Sequence, residues 1–421
     1  MLYDYIIIGG GISGLYTYYQ LLKKDPSLNI LLFEKNDYFG GRIKTFHKKI
    51  NNTNYQLEEG AGRFNKNHVL LKKLINETGL KKDIIKIDAK SEFINTKNNF
   101  DQKEFINKNA FDYINIVLKR AKNENSNYLR TLSFEKYSSN ILTTTQMSFM
   151  ISSSGYYGRL VKMNAYDAFK VFEKNIRDDI DYYILKNGME SIITKLLEKI
   201  KHYSNKLYLN SSIVYVSYDK QINIFNIMIN NNKIKIKKYK CKKIIFAIPK
   251  ASLLSLSYFQ KNSYKKIINS IQTEPLCRIY SIFSNIWFNN IIKTTTNNPL
   301  KFIIPINKIT GLIMISYTDN KNAKFWEKYS NNKILLNKKI VQNIKKVFQK
   351  NVDTPLYTKL IYWKDGMNYW KPKKNSSILS KEIMQLDKNV PLYIIGEAYS
   401  LNQGWIEGAL ETSYYLVNKI L

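Results

Sequence analysis

The chain opens on YDYIII at 3–8, a mostly apolar run of the length of a buried strand. ISGLYTYYQLLKK at 12–24 reads as a helix and NILLFE at 29–34 as a second buried strand, which together predict a βαβ unit. The alternation returns at 188–250. There Ile193, Leu196, Leu197 and Ile200 stand at helical spacing, SIVYVSY at 212–218 reads as a strand, a hairpin spans 222–240, and IIFAIP at 244–249 is another apolar strand. It returns again at the end, where PLYIIGE at 391–397 predicts a strand and a helix begins near Gly404. Between these blocks lie helical patterns at 66–78 and 103–123, strands at 276–283 and 310–317, and a helix at 334–350. The Asn-, Lys- and Thr-rich stretches 289–299 and 319–333 read as surface loops, and no internal repeat is evident.

At 421 residues the chain is longer than one hydrophobic core usually spans. Three α/β blocks separated by other material predict two domains, each built from discontinuous pieces: 1–65, 188–250 and 388–421 in one, 66–187 and 251–387 in the other. A hydrophobic share of 44% excludes a disordered chain. Lysine and arginine total 66 against 33 acids, a net charge of +33 that attracts nucleic acid, anionic lipid or an acidic partner. AT-rich coding accounts for the same excess, since Lys, Asn and Ile rise together in stretches such as 220–243.

Cys241 and Cys277 are too few for a disulfide framework. With His47, His68 and His202 they form no CxxC or HExxH spacing, so no metal site is expected, and no GxSxG elbow of a serine hydrolase occurs. The start carries an acid where a secretory signal has positive charge. The uncharged run 5–22 is broken by Gly9, Gly10, Gly11 and Gly14, so the expectation is a cytoplasmic protein without a membrane span.

Glycine is scarce, 17 in all, yet eight of these fall within the first 62 residues. In GGGISG at 9–14 the pattern GxGxxG follows a strand and opens a helix, with Gly9 permitting the turn, Gly11 the approach of backbone to a pyrophosphate, and Gly14 the packing of helix on sheet. Glu34 ends the second strand 20 residues after Gly14, where a carboxylate accepts hydrogen bonds from a ribose 2′-OH and repels a 2′-phosphate. Strand, helix, strand and acid together predict dinucleotide binding.

GGRIKT follows at 40–45, LEEGAGRF at 57–64 and GEAYSLNQGWIEGALETSYYL at 396–416. With these motifs the sequence resembles the FAD-dependent amine oxidoreductase family, which includes monoamine oxidases, polyamine oxidases and L-amino-acid oxidases. The resemblance implies an α/β fold, a Rossmann-like FAD-binding domain of the GR2 type with an interleaved α+β substrate domain. It implies FAD bound without a covalent link by Gly9, Gly11, Ile12, Ser13, Gly14, Glu34, Lys35, Gly41, Arg42, Gly60, Ala61, Gly62, Arg63, Val214, Glu397, Gly404, Trp405, Ile406 and Ala409. Within that set Arg42 pairs with phosphate, Gly60 and Ala61 let the backbone pass the cofactor, Val214 meets the adenine end through its backbone, and the helix start at 404–409 faces the flavin.

The substrate side is implied in the same way. Arg63 stands where the L-amino-acid oxidase branch has an arginine that binds the substrate carboxylate; Glu58, Glu59 and a cofactor phosphate are its alternative partners. Trp405 takes the place of one aromatic wall. Either Tyr369 or Trp370 supplies a second, or both are ordinary core. Arg278 stands where family members carry a lysine that holds a water against flavin N5, and an arginine stays protonated and does not serve as a base.

The first functional expectation is oxidation of the C–N bond of a small amine or L-amino acid to an imine that hydrolyses, with O2 or another acceptor taking the electrons. A second keeps the fold and changes the reaction to carbon–carbon desaturation or porphyrinogen oxidation. A third is a flavin-bearing protein that binds nucleic acid or acidic partners through its basic surface.

Overall fold

The computed structural model describes residues 1–421 except 89, 97–99, 101, 178–179, 204–205 and 232–234. The opening strand, Leu2–Ile8, pairs in parallel with Ile30–Phe33 on one side and with the second half of Lys235–Phe246 on the other. Leu207–Tyr208 and Leu392–Ile394 extend the parallel part, and Ser211–Asp219 and Ile224–Asn231 complete the sheet antiparallel. Where these strands meet, at residues 5–8, 30–33 and 244–246, they are apolar because both faces are covered. One face, with Ile7, Leu32 and Ile245, shares a core with Leu15 and Leu22 of the helix Ile12–Lys24 and with Leu410 and Leu416 of the last helix, Ile406–Ile420. The other, with Ile6, Leu31 and Phe246, is covered by Leu253, Phe259 and Ile268. Each such Ile or Leu contributes roughly 1.5–3 kcal/mol relative to exposure.

A second sheet runs in the order Tyr357–Trp370, Ile271–Ile282, Leu312–Asp319, Phe302–Asn307, Thr294–Thr296 and Glu92–Ile94. All its pairs are antiparallel except the last. The helices Asn320–Glu327 and Lys333–Phe348 cover one face, where Trp326, Ile340 and Ile344 share a core with Ile279, Ile313 and Ile315. Arg278, Tyr280, Met314 and Tyr317, on the same strands, line a cavity instead. The helices Ala110–Ala121, Thr144–Ser153 and Ala165–Lys174 form a further core around Phe134, Phe149 and Phe172.

Several segments differ from the sequence expectation. The stretch 289–299 holds the buried strand Thr294–Thr296, because β-branched threonines suit a strand and their hydroxyls find partners, Thr294 Oγ1 donating to Glu92 Oε1 at 2.9 Å. The stretch 319–333 contains Asn320–Glu327, whose Trp326 is buried with its Nε1–H on the Pro299 carbonyl at 2.8 Å. The helical pattern at 103–123 divides into Gln102–Phe105 and Ala110–Ala121, since Asn109 and Asp112 cap the second helix reciprocally. The strand at 391–397 ends at Ile394, leaving Glu397 in a short 3-10 turn, Glu397–Tyr399. Among the described residues no helix is long and apolar enough to cross a membrane.

Candidate active site

Where the first strand ends, the glycines separate by role. Gly9 has φ +109°, and a Cβ on Gly14 would lie 1.9 Å from the Gly9 carbonyl oxygen, so Gly14 serves helix-on-strand packing. A Cβ on Gly11 would meet nothing within 4 Å. Gly11 opens on a cavity of about 1160 Å³ that runs from this loop to the second sheet. Its wall includes Gly9, Gly11, Ile12, Ser13, Glu34, Lys35, Gly41, Arg42, Gly60, Ala61, Gly62, Arg63, Glu397, Gly404, Trp405, Ile406 and Ala409. All the motifs of the first 63 residues and of the C-terminus therefore meet at one site.

The nucleotide end is closed by its own hydrogen bonds. Glu34 is buried, with Oε2 accepting from the Gly10 amide at 2.7 Å and Oε1 from the Asn36 amide at 2.9 Å. Arg42 donates from Nη2 to Glu397 Oε2 at 2.7 Å and from Nη1 to the Gly366 carbonyl at 3.0 Å. Glu397 also accepts from Asn368 Nδ2 at 3.0 Å and from the Gly404 amide. Gly60 is small for a reason other than the expected one, because a Cβ there would lie 1.8 Å from the Arg42 carbonyl oxygen. Val214 departs from its expected place at the cavity: it is exposed, and Ser211, Ser212 and Ile213 line the wall.

At the inner end Arg63 donates from Nη2 to the Tyr156 hydroxyl at 3.1 Å and lies 4.0 Å over the Tyr182 ring. Among the described residues no carboxylate pairs with it, so neither Glu58 nor Glu59 is its partner. Burial opposes its charge, but the phenols of Tyr156, Tyr182 and Tyr317 outweigh this and hold the guanidinium above its ordinary value. Arg278 donates from Nη1 to the Glu58 carbonyl at 2.9 Å and sits 4.6 Å over the Tyr317 ring. The Glu58 carboxyl lines the same wall. Burial pushes it up to about 7 against hydrogen bonds from the Met189 amide and Thr45 Oγ1.

Trp405 is the N-cap of the last helix, with the His68 ring edge-on at 4.7 Å and the Tyr182 ring parallel at 6.5 Å. Its Nε1–H is buried without a partner. Tyr369 and Trp370 do not form the second wall: both are fully buried away from the cavity, Trp370 with its Nε1–H on the Ser400 carbonyl at 2.9 Å. From their strand Met367 reaches the cavity, together with Trp363, Gly366 and Asn368. The irregular pairing between Glu274 and Leu276 shifts which residues face inward.

The sequence reading missed three groups. Tyr156 and Arg159 lie in SGYYGRL, whose two glycines, in a chain with so few, mark close packing: a Cβ on Gly155 would strike Phe302 and one on Gly158 would strike Tyr369. His68 precedes the helix Val69–Glu77 and carries no motif. It is held neutral, burial pushing it down to about 4.

The open cradle at Gly11, the positive-φ turns at Gly41 and Gly396, and the buried acids at 34 and 397, oriented by backbone amides with lone pairs to spare, fit a flavin dinucleotide between the first loop and Trp405. The flavin containing amine oxidoreductase model matches residues 12–421. The uncharacterized protein R188 of Acanthamoeba polyphaga mimivirus is 22% identical over 496 residues, 99% of this chain and 95% of its own. A coproporphyrinogen III oxidase of Staphylococcus aureus is 30% identical over 92 residues, 22% of this chain and 19% of its own. Among solved structures, a putrescine oxidase variant superposes with a TM-score of 0.78 at 13% identity, covering 100% of this chain and 99% of that one. That likeness carries the fold; the match of nearly the whole sequence carries the family. The chain belongs to the flavin-containing amine oxidoreductase family and is an FAD-dependent oxidoreductase.

Proposed function

We propose that this enzyme oxidises the C–N bond of an L-amino acid, with O2 as the final electron acceptor. The observation that carries the reading is Arg63, a guanidinium on the cavity wall beside Trp405's partner Tyr182, with no carboxylate of its own among the described residues. Arg159 and Arg278 line the same region, and Glu58 is close to half-neutral at pH 7, so the field there is positive. A diamine would meet repulsion in it; a carboxylate would meet a bidentate partner.

FAD, when bound, would supply a two-electron acceptor for the substrate's hydride and a route for those electrons to O2. Gly9, Gly11, Ser13, Glu34 and Arg42 would hold the nucleotide, and Gly404, Trp405, Ile406 and Ala409 the flavin end. Arg63 orients the α-carboxylate, and Trp405 with Met367 walls the amine. No protein histidine is required as a base, because the neutral amine loses hydride directly. The imine takes up water to give a keto acid and ammonium, while O2 gains two electrons and two protons to become H2O2. Cys241 and Cys277 lie off the cavity in hydrophobic cores, which agrees with a non-covalent cofactor.

A second reading, carbon–carbon desaturation or porphyrinogen oxidation, draws on the local match to the coproporphyrinogen oxidase and on a cavity wall without Tyr369 or Trp370. Anaerobic flavin bleaching separates the two. L-amino acids should reduce the flavin, and Arg63→Ala should lower kcat/KM about 100-fold or more with the flavin spectrum intact. Bleaching by polyamines or monoamines instead would overturn the carboxylate argument, and reduction by no amine at all would favour the second reading.

A further inference from the structure

Arg159 stands in the helix Tyr157–Val161 with 3% of its surface exposed, and it lines the cavity. Among the described residues its guanidinium has no hydrogen-bond acceptor and no ion pair. The face of Tyr156, the residue whose hydroxyl receives Arg63, lies 5.3 Å away, and the buried Tyr369 feels the charge of Arg159. Asp319 feels the charge of Arg159, yet its two oxygens accept the amides of Tyr157 at 3.2 Å and Gly158 at 2.8 Å.

The place is more demanding still. A Cβ built on Gly404 would lie 2.3 Å from Arg159 Nη2 and 3.3 Å from Met367 Cε, so Gly404, at φ +85°, makes the room into which the guanidinium reaches. Gly404 immediately precedes the N-cap of the helix Ile406–Ile420, whose dipole is positive at this end. The Glu397 carboxylate at this helix start is already engaged by the Gly404 amide, Arg42 and Asn368, so a second cation buried here is unfavourable unless a further anion joins it. A guanidinium with free N–H groups facing a cavity is the partner that a planar oxyanion takes.

We propose that Arg159 is a second anion-binding residue of the substrate site, and that with Arg63 it selects an amino acid carrying a second carboxylate on its side chain. The assignment rests on the amino-acid reading above, in which Arg63 takes the α-carboxylate. The guanidinium at the Tyr156 hydroxyl and the one near its ring face then each receive one end of an acidic amino acid, while its amine lies toward Trp405.

The test uses the flavin-loaded enzyme without oxygen. L-glutamate or L-aspartate should reduce the flavin at least about 30-fold more efficiently than L-glutamine or L-asparagine, and Arg159→Met should reduce that preference to less than about threefold. Glutarate, which has two carboxylates and no amine, gives a readout independent of turnover: its dissociation constant, followed by the flavin absorption shift, should rise at least about tenfold in Arg159→Met and less in Arg159→Lys, which keeps the charge. If Arg159→Met fails to fold, the lysine variant and the glutarate titration still decide.

Equal losses on acidic and neutral amino acids would mean that both arginines serve one carboxylate and would overturn the proposal. So would glutarate binding that Arg159 does not affect, or a shift of flavin potential alone. If no amino acid reduces the flavin while glutarate binding depends on Arg159, the amino-acid reading fails and the anion site stands.

Discussion

The two ends of the cavity are built on opposite plans. At the nucleotide end the chain answers its own charges: Glu34 receives two backbone amides, and Glu397 receives Arg42, Asn368 and the Gly404 amide. At the inner end buried groups stay open, namely the Arg159 guanidinium and the Trp405 Nε1–H, and Arg63 is satisfied only by a phenol and a ring face. An unmet buried polar group costs about 1–3 kcal/mol, so a chain tolerates several in one place chiefly where a ligand completes them. In the proposed reading the closed end selects by shape and the open end by charge.

Substitutions sharpen this contrast. Gly14→Ala should be the most severe, lowering stability by more than about 3 kcal/mol in denaturant unfolding, because its Cβ meets the Gly9 carbonyl oxygen. Glu397→Ala should lower stability by about 2–3 kcal/mol, leaving Arg42 with only the Gly366 carbonyl and the Gly404 amide without its acceptor; an unchanged unfolding midpoint would show that the closed end is not closed by this acid.

His68 tests the supports of the open end. Burial holds its folded-state pKa near 4, below the ordinary 6.5, so the unfolded chain binds the proton first as pH falls. Its contribution is therefore present above about pH 6.5 and is lost on acidification through the folded value. Between about pH 7.5 and about pH 5 the stability advantage of the wild type over His68→Gln should shrink by about 2 kcal/mol. A constant difference across that range would show that the imidazole beside Trp405 is not held neutral.

The smallest expected effect on folding is Gly11→Ala, within about 0.5 kcal/mol, since its Cβ enters open space. FAD affinity should nevertheless fall at least tenfold, by roughly 1.4 kcal/mol or more, since in the proposed reading the pyrophosphate approaches the backbone there. Loss of stability in the FAD-free protein would mean that Gly11 serves packing, as Gly14 does.

The closed end was largely legible in the sequence. The loop at 9–14, Glu34, Arg42 and Glu397 depend on backbone turns and local spacing, which a strand–helix–strand pattern places within a few residues of their final positions. The open end was legible in part. Arg63 and Trp405 sit in motifs, and both line the cavity. Tyr369 and Trp370, on opposite faces of their strand, lie in two different hydrophobic cores away from the cavity, which local pattern alone does not reveal. Arg159, Tyr156 and His68 belong to irregular or short helical segments without a motif, and only the long-range packing of those segments brings them to Trp405 and Gly404.

The sequence by itself determined the parallel sheet, the nucleotide loop and the motifs of an FAD-dependent oxidoreductase, because apolar runs and glycine turns act over short distances whatever surrounds them. The tertiary structure alone decided which cations remain unpaired inside, because that depends on how segments about 250 residues apart, such as Arg159 and Gly404, approach each other and on which carboxylates are already engaged.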